Sequence, residues 1–339
     1  VPIRGLQLTK AVNNEFKIGN VIFVSKDKLP RIRKRLGFPI VVSELHQIVS
    51  KKPKIFSEQI KEFFEYSETY AITHFSGVPK NEEIENIRRI EKALNYLSFS
   101  KLGFSKRSFQ DRIEIKSSDK VLHHRTVNLN KGRAIYTYGS RSLDPFYLIL
   151  DKNWKEFHKT KFYFEFIKII NQEIKLNSKW KTTLVSIGNL AGKSRNSHDI
   201  PESFLRNIIA MEMLLTTQND KILNKLVERA GYLLDWTEEW QKNDLAGRIE
   251  KMYVKRNNYV HDGKADMITD DDLIFTDDLL FNLLNAVVRN LNKVTSKQIL
   301  IDFSDKYQCE KMLGLKSEYQ FWKFEYLRKK YNKGDLKKI

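Results

Sequence analysis

Over the first 150 positions the apolar residues fall in short runs. EFKIGNVIFV (15–24) and RAIYTYGSRS (133–142) are rich in β-branched and aromatic residues and are punctuated by Gly, Asn and Ser, which predicts strands joined by turns. Between them the period changes. In EEIENIRRIEKALNYL (82–97), Ile84, Ile87, Ile90, Leu94 and Leu97 recur at steps of three and four, an apolar stripe on one helix with charges opposite. The first part is therefore expected to be a mixed α+β domain over residues 1–150.

From about Lys152 the turn-rich pattern stops and helical segments follow one another to about Lys297. WKEFHKTKFYFEFIKIINQEI (154–174) reads as one aromatic, amphipathic helix. Asp199 is an N-cap, with Pro201 in the first turn of the helix that carries FLRNIIAMEMLL. Further helices are predicted over 220–234 and 244–256, the latter with Leu245, Ile249, Met252 and Tyr253 on one face. A loop is expected at 261–267. Thr269 with Asp272 then resembles a capping box for a closing helix through LIFTDDLLFNLLNAVVRNL, and Asp270 to Asp272 compensate its dipole. The predicted class is α+β: a mixed domain, an all-α bundle over 151–300, and a basic, aromatic, helical tail over 301–339, in which Phe321, Trp322 and Tyr326 pack back on the core.

Charge narrows the partners. With 60 Lys and Arg against 42 Asp and Glu the chain carries a formal +18, which attracts polyanions and points to nucleic acid. The chain is also rich in Lys, Ile and Asn together, a bias that an AT-rich genome imposes on all its proteins, so charge alone does not assign the partner. The basic clusters are KDKLPRIRKR (26–35) and the tail. Arg31, Arg33, Lys34, Arg35, Arg328, Lys329 and Lys330 are the candidate RNA contacts.

A single cysteine, Cys309, allows no intramolecular disulfide and no CxxC pair. No apolar run approaches the roughly 20 residues of a membrane span, and no leader pattern opens the chain, which begins with Val1 rather than Met. A cytoplasmic location without membrane contact is expected.

TTLVSIGNLAGKS (182–194) imitates a phosphate-binding loop, but only three residues separate Gly188 from Gly192 where a Walker A loop needs four, and a helix over 179–193 fits as well. His123 and His124 are adjacent, which on a strand sends them to opposite faces. His158 and His198 lack partners at ligand spacing. Neither a metal nor a cofactor is expected.

KRNNYVHDG (255–263) remains. Arg256 and His261 lie five residues apart, with the Asp262-Gly263 turn signal behind them. An arginine is a permanent, bidentate phosphate clamp, and a histidine moves protons near neutral pH. On an ideal helix five steps separate the two by about 140°, so they meet at one ligand only if the helix ends between them or two chains combine. The same residues also fit an arginine paired with acidic neighbours and a histidine at a helix C-terminus.

NIIAMEMLL, KLVERAGYLL and IEKMYVKRNNYVHDG, in that order, resemble the HEPN superfamily, in particular its ApeA-like domains, over about 152–297. A looser echo of the domain preceding such modules lies in AITHFSGVPKNEEIENIRRIEKALNYLSF (71–99). The elements that match are Glu212 in an apolar helix, Arg229 one helix later, Tyr253 before the motif, and the R-x4-H motif itself. The resemblance implies a helical bundle that pairs isologously and brings two motifs into one cleft. It further implies a metal-independent endoribonuclease of toxin or anti-phage defence type, acting through the RNA 2′-OH and leaving a 2′,3′-cyclic phosphate and a 5′-hydroxyl.

On that reading Arg256 binds the scissile phosphate, His261 is general acid or base, and Asn257 orients the phosphate or its partner. Glu212, Arg229 and Tyr253 line or support the site, Glu212 as a carboxylate holding Arg229 or Arg256. The first domain would sense a trigger or recruit substrate. Implied partners are RNA, a second copy of the chain and, in some systems, an antitoxin or another defence protein. The superfamily also holds inactive members, so the alternative is a non-catalytic dimerisation or RNA-binding module, or a subunit of a defence complex.

Overall fold

The structure, a computed structural model, describes residues 1–35, 67–73, 79–108, 112–115, 123–130, 133–140, 147–316 and 324–332; at 30, 33, 34, 79–83, 123–130 and 133–140 it describes the backbone alone. It is mixed α+β. The strands are β1 (Pro2–Arg4), β2 (Leu6–Leu8), β3 (Glu15–Ile18), β4 (Val21–Ser25), β5 (Thr69–Thr73), β6 (Glu114–Ile115), β7 (His123–Asn130), β8 (Arg133–Ser140) and β9 (Leu148–Leu150). Five of them form an antiparallel sheet in the order β3-β4-β5-β1-β6. Its β3–β4 hairpin is the one read from EFKIGNVIFV: Ile18 faces Val21, so Gly19 and Asn20 make a two-residue turn, and Gly19 takes the positive φ of 58° that such turns demand. β7 and β8 form a separate antiparallel pair, and β2 runs parallel to β9, tying the start of the chain to the strand that leads into the helices.

The helices are α1 (Leu29–Arg35), α2 (Pro79–Phe99), α3 (Lys152–Lys159), α4 (Tyr163–Ile170), α5 (Ser178–Arg195), α6 (Ile200–Leu215), α7 (Ile222–Leu234), α8 (Glu238–Lys242), α9 (Leu245–Asp262), α10 (Asp270–Val288) and α11 (Lys297–Met312). Their start signals work as read. The Asp199 carboxylate accepts from the Glu202 N–H with Pro201 in the first turn, and Thr269 and Asp272 form a complete capping box.

TTLVSIGNLAGKS is the body of α5, and its glycines serve packing. A Cβ on Gly192 would stand 1.9 Å from the Asn95 carbonyl oxygen of α2, and one on Gly188 would stand 2.1 Å from the Phe166 ring. The two glycines let α5 lie against α2 and α4, which is why the stretch looked like a phosphate loop without being one. Among the described residues the larger apolar core runs from Ile3 in β1 through Phe99, Trp154 and Leu214 to Phe324, and Val24, Leu29, Ile32 and Tyr70 form a second, smaller cluster.

Three expectations are corrected. The aromatic segment 154–174 is two helices, broken after Lys159 by a turn in which the Lys161 N–H returns to the His158 carbonyl. The helix predicted from Asp220 begins at Ile222, since the Asp220 carboxylate instead accepts from the Thr217 N–H and from Arg229. Among the described residues of the tail the helix runs to Met312, and residues 324–332 run without helix. Their backbone is held by side chains of α10: the Leu327 N–H donates to Asn282 Oδ1, Asn282 Nδ2 donates to the Leu327 carbonyl, and the Lys329 N–H donates to Asp278. Tyr326 packs against the core as expected, while Phe321 and Trp322 lie outside the described residues.

Candidate active site

α9 carries the motif, and it does not end where the sequence suggested. Asp244 caps its start from a left-handed backbone, accepting from the Gly247 N–H, and Leu245, Ile249, Met252 and Tyr253 bury one face. The predicted end at Arg256 and the loop from His261 are both overturned, because the helix continues to Asp262. Nothing before Gly263 breaks it. Gly263 takes a φ of 68°, its N–H returns to the Tyr259 carbonyl, and the Lys264 N–H returns to the Asn258 carbonyl, so the last carbonyls are satisfied. Lys255 also pins the last turns to the start of α10 through Asp272, 2.7 Å away.

Arg256 sits almost in line with Ile249, seven residues and about 20° away, so it projects from the buried side of α9 where the core gives way to solvent. Its Nε lies 3.5 Å from Glu212 Oε1 on α6, and both side chains are mostly buried. Nη1 donates to Asn257 Oδ1 at 3.1 Å, and the guanidinium stands 5.4 Å from the Tyr253 ring centroid. Nη2 has no hydrogen-bond partner among the described residues. The phenol of Tyr253 is pushed up by burial and by the neighbouring Glu212 charge. Glu212, Tyr253, Arg256 and Asn257 thus form one group in which a charged donor is positioned with spare capacity for an anion.

His261 stands apart from that group. It is exposed in the last turn of α9, about 140° around the axis from Arg256. Val254, seven residues earlier and about 20° around the axis, is 52% exposed beside it; Val260, 45% exposed, lies about 100° away on the Arg256 side, and Met267 is 41% exposed on the segment that follows. A side chain on the same helix cannot bring His261 onto the Arg256 guanidinium.

Arg229 joins neither. It is buried and donates to the Leu215 carbonyl and to Asp220 Oδ2 at 2.7 and 2.5 Å, closing the loop between α6 and α7. Glu212 therefore holds Arg256 and not Arg229.

The basic candidates divide. Arg31 and Lys330 are exposed, and the side chains of Arg33 and Lys34 lie outside the described residues. Arg35 pairs with Glu15 at 2.7 Å and Arg328 with Glu239 at 3.7 Å. Lys329 is half-buried, donating from Nζ to the Phe104 carbonyl.

His158 is enclosed by Trp154, Phe157 and Tyr163, and burial drives its pKa down to about 3, so it is a neutral core residue. Among the described residues no group of His, Cys, Asp or Glu is placed to hold a metal ion, and no helix is long and apolar enough to cross a membrane.

Sequence reasoning missed a buried ionic cluster around Asp277 on α10. Arg107 binds its carboxylate bidentately, Nε to Oδ2 at 2.8 Å and Nη2 to Oδ1 at 2.7 Å; Arg195 adds a bond of 3.1 Å and Asn207 one of 2.8 Å. Burial works against the Asp277 anion, but the Arg107 and Arg195 charges outweigh it and hold the carboxyl below its ordinary range. The signal was present: two adjacent aspartates interrupt an otherwise apolar helix in FTDDLLF.

No protein-family model, curated protein or solved structure matches this chain.

Proposed function

We propose that the protein is a HEPN-type endoribonuclease whose active site is completed by a second copy of the chain. The observation that carries the reading is the division of labour on α9. Arg256 is pre-positioned by Glu212 and Asn257 with an open donor, while His261 is solvent-facing on the same unbroken helix, with exposed Val254 beside it and exposed Val260 nearer Arg256. Isologous pairing about such a face buries the valines and sets the Arg256 of each chain near the His261 of the other.

Each paired site then holds one histidine. Its imidazole takes the 2′-OH proton as the 2′-oxygen attacks phosphorus; the P–O5′ bond breaks, and the imidazolium so formed gives that proton to the 5′-oxygen. The products are a 2′,3′-cyclic phosphate and a 5′-hydroxyl, and Arg256 neutralises the charge that gathers on the phosphoryl oxygens. A cytoplasmic defence setting, with a partner protein that restrains or triggers cleavage, belongs to this reading.

Incubating the purified protein with total RNA, beside an Arg256→Ala, His261→Ala variant, tests it. Cleavage by the parent alone is expected, with a loss of roughly 10²- to 10⁴-fold for His261→Ala. Equal behaviour of the two proteins with every RNA and trigger tested sinks the reading.

The Arg256–Glu212 contact favours a second reading, a bundle that binds nucleic acid and does not cut it, in which Arg256 is an internal tie. Steeply salt-dependent RNA binding, unchanged by His261→Ala and without cleavage, marks that outcome.

A further inference from the structure

A groove of about 1080 Å³ opens between the extended tail 324–332, the first half of α10 and the start of α9. Small-molecule pockets end at roughly 1,000 Å³, so its size suits a segment of polymer at least as well as a compact ligand. Its floor holds an unusual pair: the Arg248 guanidinium lies 3.9 Å from the centroid of the Phe275 ring, stacked on a residue that is itself buried. Phe275 fixes the plane of that cation, and no carboxylate is within ion-pair distance of it among the described residues. Lys161 and Lys330 line the groove as well, and neither forms an ion pair among the described residues.

The acidic groups on the walls are largely compensated. Glu239 is engaged by Arg328, 3.7 Å away, and Asp271 sits in the first turn of α10, where the helix dipole offsets its charge. Asp278 accepts from the Lys329 N–H, and burial pushes its pKa up to about 7, so it contributes only part of a negative charge near neutral pH. Glu325 remains as an exposed carboxylate on the rim.

A planar cation seated over an aromatic ring, with two lysines lining the same groove, has the chemistry that holds a single nucleic acid strand: a base stacks on the guanidinium and phosphates meet the ammonium groups. Position supports it too. Arg248 precedes Arg256 by eight residues on α9, about 12 Å along the axis and about 80° around it.

We infer that this groove is a binding site for single-stranded RNA, in which Arg248 on Phe275 stacks a base and Lys161 and Lys330 contact phosphates of the strand approaching Arg256. The choice of RNA rests on the nuclease reading; the single-strand chemistry does not.

The test measures binding of a labelled oligouridine of about 12 nucleotides, and of the corresponding duplex, across a salt series, in a His261→Ala background so that the probe survives. Arg248→Gln is expected to weaken single-strand binding about tenfold, while Arg248→Lys keeps the salt slope and loses affinity. Lys330→Glu, an exposed change that leaves folding intact, is expected to reduce the salt slope by about one. Lys92→Glu, on the exposed side of α2, serves as the charge-matched control and should match the background. Groove variants indistinguishable from Lys92→Glu, duplex bound as tightly as single strand, or no RNA binding by the full chain would each overturn the inference. The two readings fail separately. Groove-dependent binding without cleavage by the native chain removes the nuclease alone; cleavage with binding untouched by the groove variants removes the groove alone.

Discussion

Arg256 and His261 stand on one unbroken helix, and the five steps from one to the other turn their side chains about 140° apart, with Glu212 beside the arginine and solvent around the histidine. A site that needs both groups at one phosphate must take them from two chains. Mixing inactive Arg256→Ala protein with inactive His261→Ala protein should therefore restore cleavage. In randomly exchanged dimers, half are mixed and each holds one intact pairing, so about a quarter of native activity is expected. Mixtures that remain silent after verified subunit exchange would show that the pairing across chains is wrong.

Glu212 positions Arg256 through a contact of 3.5 Å, with Asn257 on the other side of the guanidinium. The carboxylate contributes orientation more than stability, because a partly exposed pair of this kind is worth about 0–1 kcal/mol. Glu212→Gln should keep the thermal midpoint within a few degrees and lower the cleavage rate about tenfold or more, since a misplaced phosphate clamp loses transition-state contact. A variant that cleaves at the native rate would leave Glu212 as a packing residue only.

Period and capping carried most of the helical part into view before any coordinates. Asp199, Thr269 and Asp272 cap as read, and the stripe on α2 buries at Ile90, Leu94 and Leu97, whereas Ile84 and Ile87, read as part of it, are 55% and 39% exposed. What the pattern could not show was set by contacts distant in sequence. Gly192 looked like part of a phosphate loop because its reason for being glycine is the Asn95 carbonyl, nearly a hundred residues away. The pattern places the end of α9 at Arg256, whereas the cap at Gly263 and the Lys255–Asp272 tie carry the helix on to Asp262. Tail residues 324–332 have the aromatic and basic composition of an amphipathic helix, but Asn282 and Asp278 satisfy their backbone and hold them extended. At the candidate site, the grouping of Arg256 with Glu212 and Tyr253 was legible in part, and the diversion of Arg229 to Asp220 was not.

Asp277 joins the segment after α2 to three helices, because Arg107, Arg195 and Asn207 all donate to its carboxylate in the core. Removing the anion leaves two buried guanidinium groups without their counter-charge. Asp277→Asn should destabilise the fold by about 3–5 kcal/mol, a shift that chemical denaturation reads directly. Replacing Asp277 and Arg107 together by apolar residues of similar volume should recover part of that loss, since the pair's desolvation cost disappears with it. A single variant within about 1 kcal/mol of the parent would mean that solvent reaches the cluster.

Asp278 gives the fold a pH dependence of predictable sign. Burial is the main cause of its rise to about 7; the neighbouring Asp277 charge adds to it, and the Lys329 N–H, with the charges of Lys329 and Arg328, opposes it. A carboxyl whose folded pKa lies above its unfolded one holds its proton more tightly in the folded chain. Its contribution is complete below the unfolded value, near pH 4, and is lost as pH rises toward about 7. Asp278→Asn removes the ionisable group yet keeps an oxygen to accept from the Lys329 N–H. The variant should match the parent in unfolding free energy at pH 4 and exceed it at pH 8, by at most about 4 kcal/mol. Because Asp278 holds the tail against α10, the gain should appear as slower proteolysis in residues 324–332 at the higher pH. Parallel stability curves for the two proteins between those pH values would show that Asp278 ionises in the folded chain as it does in water.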